Sequence, residues 1–545
     1  MKFHVMILAG AMLIAQGASA AEEVVMSRRT LDRSNLFRSG NFSFSVSTDE
    51  NSPSGWLGKA VKGNMERNVP IDRSGVTLIF FPGEILEVRN NRLPGRENWN
   101  MMQETIGEFE IIRRAPADFF KTLPVETAQE KKDGHAVCVF RNGTFALRML
   151  PAFNGAIYSL TDSVSGMEFF YGNPAGARGK NAFEKLGFLE MVNQLGRTAA
   201  VEFDPTQEKL PGGGAILNME REIPNSGGVR ISRSVELAPG LPLVRIHSFF
   251  STSGQVKNAF CIKHRPEATY VGGADNRAVS IFTEDNGVWK EKMSPSGEVI
   301  PRGTRYAMAD RCRGILFGVS YEAQDLQQLY LWNAENYVTL EAWSKKRTLE
   351  KPLGLKVRYF LIRGMSKVNF LGTDGAIFIR DIHPVVHAGK DWDVSLVYGS
   401  ASLWKNPEIA IRIENSRGET VLSAKHALPS PVPGFAASPV RLTLDTGKFL
   451  PGAYQVHFSL SEGDIAGCIP LAVISADQLQ EFRKTLCRID ERLAEQRKNY
   501  RDLPSAKKKQ ALREFKRLLN IRNQFEEALK KGDMKELQKL ARELE

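Results

Sequence analysis

The chain has 545 residues, 42% of them hydrophobic and 25% charged, with a net charge of +11. This is the composition of globular protein, which excludes wholesale disorder, a collagen or a coiled-coil rod, and the length predicts two to four domains. Five cysteines are far too few for a disulfide scaffold, and their odd number leaves at least one unpaired.

The chain opens with Met1-Lys2, an apolar run from Val5 to Ala15 and the small-residue pattern Ala18-Ser19-Ala20. This predicts a signal peptide over residues 1–20, cut after Ala20, and hence a periplasmic or secreted protein. Nothing later reaches the roughly 18 apolar residues that a membrane-spanning helix needs. Cys138, Cys261, Cys312, Cys468 and Cys487 contain no C-x-x-C pair. One disulfide is compatible with an oxidising compartment, and buried free thiols account for the others.

Residues 21–134 read as an N-terminal β-rich region. Phe42-Ser-Phe44-Ser-Val46 alternates with the period of two expected of a half-buried strand. Val76 to Phe81, the turn Pro82-Gly83, and Ile85 to Val88 predict a hairpin. Asn90 to Asn100 is expected to be a polar loop. The charged stretch Lys121 to Gly134 is expected to be a linker.

Residues 135–375 are read as one large β domain. Ala136–Phe140, Thr144–Leu150, Ala156–Leu160 and Met167–Tyr171 predict four strands in quick succession. Gly212-Gly-Gly214, Gly227-Gly228 and Gly272-Gly273 mark later turns. Residues 376–475 carry a further set of short alternating strands, of a number and spacing that suit an immunoglobulin-like β-sandwich. At Ala476 the period changes. Leu479, Phe482, Leu486, Ile489 and Leu493 step by three and four, the seam of a coiled-coil-like helix. Leu512, Phe515, Leu518, Leu519 and Phe525 predict the apolar side of a second helix. Met534, Leu537 and Leu544 predict a third. Residues 476–545 are therefore a C-terminal α-helical region, and the predicted fold class is mainly β.

Asn154-Gly-Ala-Ile-Tyr-Ser-Leu-Thr-Asp162 and Ser165-Gly-Met-Glu168 together read G-x-I-x-S-L-x-D-x-x-S-G-x-E. This resembles the opening of galactose mutarotase-like (aldose epimerase-like) domains. Two later segments follow in the family's order. Ala259-Phe-Cys-Ile-Lys-His264-Arg-Pro-Glu267 is similar to the strand ending in His-Pro, although Arg265 interrupts that pair here. Tyr337-Val-Thr-Leu-Glu341-Ala-Trp343, with Lys351-Pro-Leu-Gly354 and a strand to Ile362, is similar to the family's last strands. The resemblance covers about 230 residues and implies a β-supersandwich that holds carbohydrate in a cleft.

The resemblance implies Glu341 as the base and His264 as the acid. Interconverting anomers requires a base at the anomeric hydroxyl and an acid at the ring oxygen. Trp332, Tyr337 and Trp343 are candidate sugar-stacking residues, and Glu267 a further candidate binding residue. In a regular strand Tyr337, Glu341 and Trp343 share a face.

Other motifs carry less. Asp162 is expected to serve its turn. His383 and His387 flank Pro384, which forbids a helical metal pair. Asp381, Asp391 and Asp393 form no recognisable calcium loop. Asn142-Gly-Thr144 matches a glycosylation sequon, and neither G-x-S-x-G nor a P-loop is present. No cofactor and no metal are expected.

The expected function is thus an exported carbohydrate-binding protein. Epimerase-like, glycoside hydrolase and polysaccharide lyase chemistry all remain open. The alternative is a non-catalytic binding or scaffold protein acting through the sandwich and the terminal helices. Charge argues against nucleic acid. Residues 476–545 hold 19 Lys/Arg against 13 Asp/Glu, largely interleaved, and Lys507-Lys-Lys509 is the only tight run. The β regions are close to neutral. Expected partners are a carbohydrate or polysaccharide and a helix-mediated protein contact, with no membrane span.

Overall fold

A computed structural model of the chain describes residues 23–543 except 33–35, 49–55, 72–74, 92, 94–104, 133, 154, 171–188, 193–201, 223–227, 253–261, 266, 270–278, 286–287, 293–297, 302–303, 323–325, 334–336, 345–350, 383, 501–503 and 532–533. Of the strands within 189–192, 262–269, 288–301 and 326–344 it describes the backbone. The predicted signal peptide, Cys261, His383 and Leu544 lie outside the described residues. The protein is mainly β, built of layered antiparallel sheets followed by helices.

Two four-stranded sheets come first. One holds Phe37–Ser39, Phe42–Thr48, Trp56–Lys62 and Met65–Pro70; the other holds Glu23–Asp32, Thr105–Arg114, Glu84–Asn91 and Val76–Phe81. The alternation at Phe42, Phe44 and Val46 buries all three in the core between them, with Trp56, Ile79, Phe81 and Phe109. The predicted hairpin closes with Phe81 opposite Glu84.

This region docks on the next through a close backbone approach. Gly364 donates its N–H to the Gly314 carbonyl at 2.7 Å. A Cβ on Gly364, whose φ is +88°, would meet the Phe81 carbonyl oxygen at 2.7 Å. Beside this contact Arg67 is buried and donates from Nε to the Phe80 carbonyl at 3.1 Å. Burial pulls its guanidinium down to about 10. Burial likewise pushes the Asp310 carboxyl above its ordinary 3.8, against the opposing pull of Arg313 and Arg67.

The Asp310 shift has a sign that can be measured. A carboxyl raised in the folded state binds more protons than in the unfolded chain over the window above 3.8, so stability falls as pH rises through it. Asp310→Asn removes this dependence. Urea midpoints measured from neutral to mildly acidic pH should shift in favour of the native chain, relative to the variant, as pH falls. A constant gap would show that the neighbouring arginines fully offset the burial.

The polar stretch expected to be a linker instead forms strand Glu126–Lys132, paired with His135–Arg141 in a hairpin that turns at Gly134. It forms the edge of its sheet, where Glu130 pairs with Arg141 at 2.6 Å and Lys132 lies 5.4 Å from the centre of the Tyr158 ring. Phe145–Leu150 and Ala156–Asp162 complete this four-stranded meander.

A long sheet packs against the meander. In spatial order it runs Asp204–Lys209, Ala215–Glu222, Val229–Leu237, Leu243–Thr252, Leu353–Arg363, Ile315–Glu322, Arg305–Asp310, Val279–Asp285 and Val288–Lys292. The main core lies on its inner face and holds Phe145, Leu147, Ile157, Leu217, Val235, Phe317, Val357 and Tyr359. Between Thr252 and Leu353 the chain alternates between this sheet and a separate six-stranded one, begun by Leu189–Val192 and completed by Ile262–Arg265, Glu267–Thr269, Glu298–Pro301, Leu326–Asn333 and Tyr337–Ser344.

The sandwich that follows has its own core, including Trp392, Val394, Tyr398, Ile411, Val456, Phe458 and Leu471. Tyr454 donates its hydroxyl to the Leu450 carbonyl at 2.7 Å, tying a strand to the corner that leads into it. This is the device of a tyrosine corner.

Three helices end the chain: α1 (Ala476–Asn499), α2 (Ser505–Lys531) and α3 (Met534–Arg542). Ser475 caps α1 by accepting from the Gln478 N–H at 3.1 Å, and the Gln478 side chain returns the bond to the Ser475 N–H. Phe482, Ile489, Leu493, Ile521, Phe525 and Leu537 form a small core. Leu512 and Leu519 depart from the expected apolar side: they are 41% and 39% exposed. At 100° per residue, Leu512 and Leu519 lie far round α2 from Ile521 and Phe525. Among the described residues no helix is long and apolar enough to cross a membrane.

Candidate functional site

The opening motif is a self-satisfied structural turn. Glu168 accepts from Ser159 Oγ at 2.6 Å, the Leu160 N–H at 2.7 Å, Thr161 Oγ1 at 3.1 Å and the Phe170 N–H at 3.1 Å. Asp162 accepts from the Val164 N–H at 3.1 Å, the Ser165 N–H at 3.2 Å and the Ser165 hydroxyl. Asp162 serves its turn as expected, and it also pairs with Arg363 in the core, both side chains being fully buried. The motif therefore specifies how the meander and the long sheet lock together. A ligand would find its carboxylates already committed.

The sequence-predicted site residues all fall on the six-stranded sheet, in strands Ile262–Arg265, Glu267–Thr269, Leu326–Asn333 and Tyr337–Ser344. Their register decides which of them share a face, because directly opposed residues lie on the same side of the pleat and successive residues alternate. Glu267 stands opposite Thr339, and Thr269 opposite Tyr337. Lys263 stands opposite Trp343. Trp332 stands opposite Thr339, and Tyr330 opposite Glu341. Glu267, Trp332, Tyr337, Glu341 and Trp343 thus occupy one face.

His264 does not join them. It stands opposite Ala342 on one side and Glu190 on the other, one step out of phase with Glu341. Its face carries Val338, Leu340 and Ala342 on one neighbouring strand and Leu329 and Leu331 on the next. The sheet therefore gathers its aromatic residues with Glu267 and Glu341 on one face, and sets aliphatic residues with Glu190, His264 and Glu298 on the other. The register does not bring His264 and Glu341 to one cleft as an acid–base pair.

Sequence reasoning missed Tyr330 and Lys263 on the Glu341 face. The signal for Tyr330 was present, since Gln328, Tyr330 and Trp332 alternate. Knowing that this strand lies beside Glu341 required the pairing itself.

Two other motifs resolve as structural. Asn142 is fully buried and donates from Nδ2 to the Ala238 and Leu241 carbonyls at 2.6 and 2.8 Å, so the apparent sequon is a turn brace that no glycan can reach in the folded chain. Cys138 is buried and free, and burial pushes its thiol up; Cys468 and Cys487 are also free. No described group of three or more His, Cys, Asp or Glu comes together as a metal site.

Comparison with solved structures gives likenesses of limited extent. A galactose mutarotase-like protein from Clostridium acetobutylicum aligns with 44% of this chain and 98% of its own, at 10% identity and a TM-score of 0.34. A heparan sulfate lyase mutant from Pedobacter heparinus aligns with 58% of this chain and 43% of its own, at 11% identity and a TM-score of 0.30. A 4-alpha-glucanotransferase from Thermococcus litoralis covers 44% of this chain and 41% of its own, at 11% identity and a TM-score of 0.30. No protein-family model matches the chain, and no curated protein matches its sequence.

Proposed function

We propose that this is an exported carbohydrate-binding protein whose ligand lies on the aromatic face of the six-stranded sheet. One observation carries the reading: register puts Trp332, Tyr337, Trp343, Glu341 and Glu267 on one face, with Tyr330 beside them. Aromatic rings suit the apolar faces of a sugar, and carboxylates suit its hydroxyls as hydrogen-bond acceptors. Export follows from the N-terminal pattern, and sequencing of the mature N-terminus should begin at Ala21.

Affinity electrophoresis of the full chain against a panel of sugars and polysaccharides tests the proposal. Trp343→Ala and Trp332→Ala should each weaken binding by roughly tenfold or more, as loss of a stacking anchor does. Phe249→Ala, an exposed aromatic on the long sheet, is the control and should change nothing. Equal loss in all three variants, or in none, removes the aromatic face from the site.

A second reading concerns catalysis. Glu267 and Glu341 are diagonal neighbours on adjacent strands, which places their backbones roughly 7–8 Å apart. Hydrolysis of a glycosidic bond uses two carboxyl groups, one as acid and one as base, and this register supplies two such residues on one face. Epimerisation through His264 and Glu341 has no such support. Hydrolysis by the native chain, lost in both Glu341→Gln and Glu267→Gln with binding retained, would establish this reading.

A further inference from the structure

The first half of α2 carries an apolar face that the helical core uses only through Phe515. Leu512 and Leu519 are exposed, and Phe515 between them is half-buried. At 100° per residue these three lie within about 60° of one another, forming a short apolar stripe well away from the side that buries Ile521, Phe525 and Ala528. Cations cluster along one side of it and at its N-terminal end. Residues 505–520 contain Lys507, Lys508, Lys509, Arg513, Lys516 and Arg517 against Glu514 alone. At 100° per residue Lys516 and Lys509 flank the stripe on one side with Arg513 further round, and Lys508 lies in line with it, one turn before Leu512. Lys508 Nζ also sits 5.8 Å from the centre of the Tyr500 ring. By contrast, the cations lower on α2 are engaged: Arg522 pairs with Asp490 at 2.9 Å and Glu526 at 2.6 Å.

We propose that this face docks on an anionic lipid surface, with α2 lying along the headgroups. The combination of charge and apolar residues selects this occupant. A polyanion such as an acidic polysaccharide would neutralise the lysines but leave both leucines in water. A protein partner would need a shaped interface of about 1,000 Å² or more. The stripe from Leu512 to Leu519 is only about 10 Å long. A lipid surface demands no shape complementarity. It takes the leucines at the acyl boundary while the long Lys and Arg side chains reach the phosphates. Each cation near such a surface contributes about as much as one weak ion pair, so several are needed and high salt should weaken them.

Vesicle flotation with the full chain tests this. The native protein should float with vesicles of phosphatidylcholine containing about one third phosphatidylglycerol, and should remain behind with phosphatidylcholine alone or at high salt. Leu512→Gln/Leu519→Gln alters exposed positions only and should reduce partitioning roughly tenfold or more. Lys509→Gln/Arg513→Gln/Lys516→Gln keeps the stripe and should lose binding by a similar factor. Helical circular dichroism confirms that each variant folds. Equal flotation with neutral and anionic vesicles, or none with either, overturns the proposal. So does undiminished flotation of the leucine variant, which would mark a surface for polyanions in general.

Discussion

Arg363→Met is expected to destabilise the chain by about 3–5 kcal/mol, because it strands a carboxylate in the core. Asp162 and Arg363 are both fully buried. Arg363 donates from Nε to Asp162 at 3.1 Å and from Nη2 to the other carboxylate oxygen. It also donates to the Gly434 carbonyl at 3.3 Å and lies 4.8 Å from the centre of the Phe435 ring. One guanidinium therefore ties the meander, the long sheet and the sandwich beyond it. Asp162→Ala should cost a similar amount, since it leaves the arginine unpaired and removes the acceptor for the Val164 and Ser165 N–H groups. The double variant should cost clearly less than the sum of the two single ones, because neither charge is then left alone. Urea denaturation monitored by tryptophan fluorescence measures all three. Strict additivity would show that the pair contributes no coupling.

Phe317→Ala is expected to cost about 3–5 kcal/mol by opening a cavity at the centre of the main core. Phe317 stacks on Phe169 with ring centres 4.8 Å apart and on Tyr359 at 5.7 Å, and it meets the edge of Phe170 at 6.2 Å. All four rings are buried. Phe169 and Phe170 directly follow Glu168, so the hydrogen-bonded turn of the opening motif aims them into this stack. Phe317→Leu should recover most of the loss, since it fills much of the same volume. The same urea series checks this. A cost below about 1 kcal/mol would mean that the core closes around the missing ring, with no cavity left to add to the transfer loss.

These two sites explain why part of the fold was legible in the sequence. The G-x-I-x-S-L-x-D-x-x-S-G-x-E pattern is local. Its Ser, Asp and Glu side chains bond mostly within about nine residues, so the chemistry of the turn is written in consecutive positions. The alternation at Phe42–Val46 and the three-four stepping after Ala476 are equally local, and both became a buried face where expected. Reading Glu126–Lys132 as a linker failed for the converse reason. A charged edge strand has no hydrophobic signature of its own, and only its pairing with His135–Arg141 makes it a strand.

The candidate site divides in the same way. Residue types and alternation were sufficient to group Tyr337, Glu341 and Trp343 on one face of one strand. They could not say which neighbouring strand contributes what. For Glu267 and His264 that rests on register between segments more than 70 residues apart, and for Trp332 on the register of a hairpin; a slip of one residue moves every side chain to the other face. The strand pairing brought Glu267 and Trp332 to the face of Glu341 and set His264 on the opposite one. In α2 likewise, the apolar residues were visible along the sequence, but helix packing chose Ile521 and Phe525 for the core and left Leu512 and Leu519 outside. The sequence by itself determined element type, turn chemistry and the kinds of residue available. Only the tertiary structure decided which of them meet, because register and packing are set by contacts between distant segments.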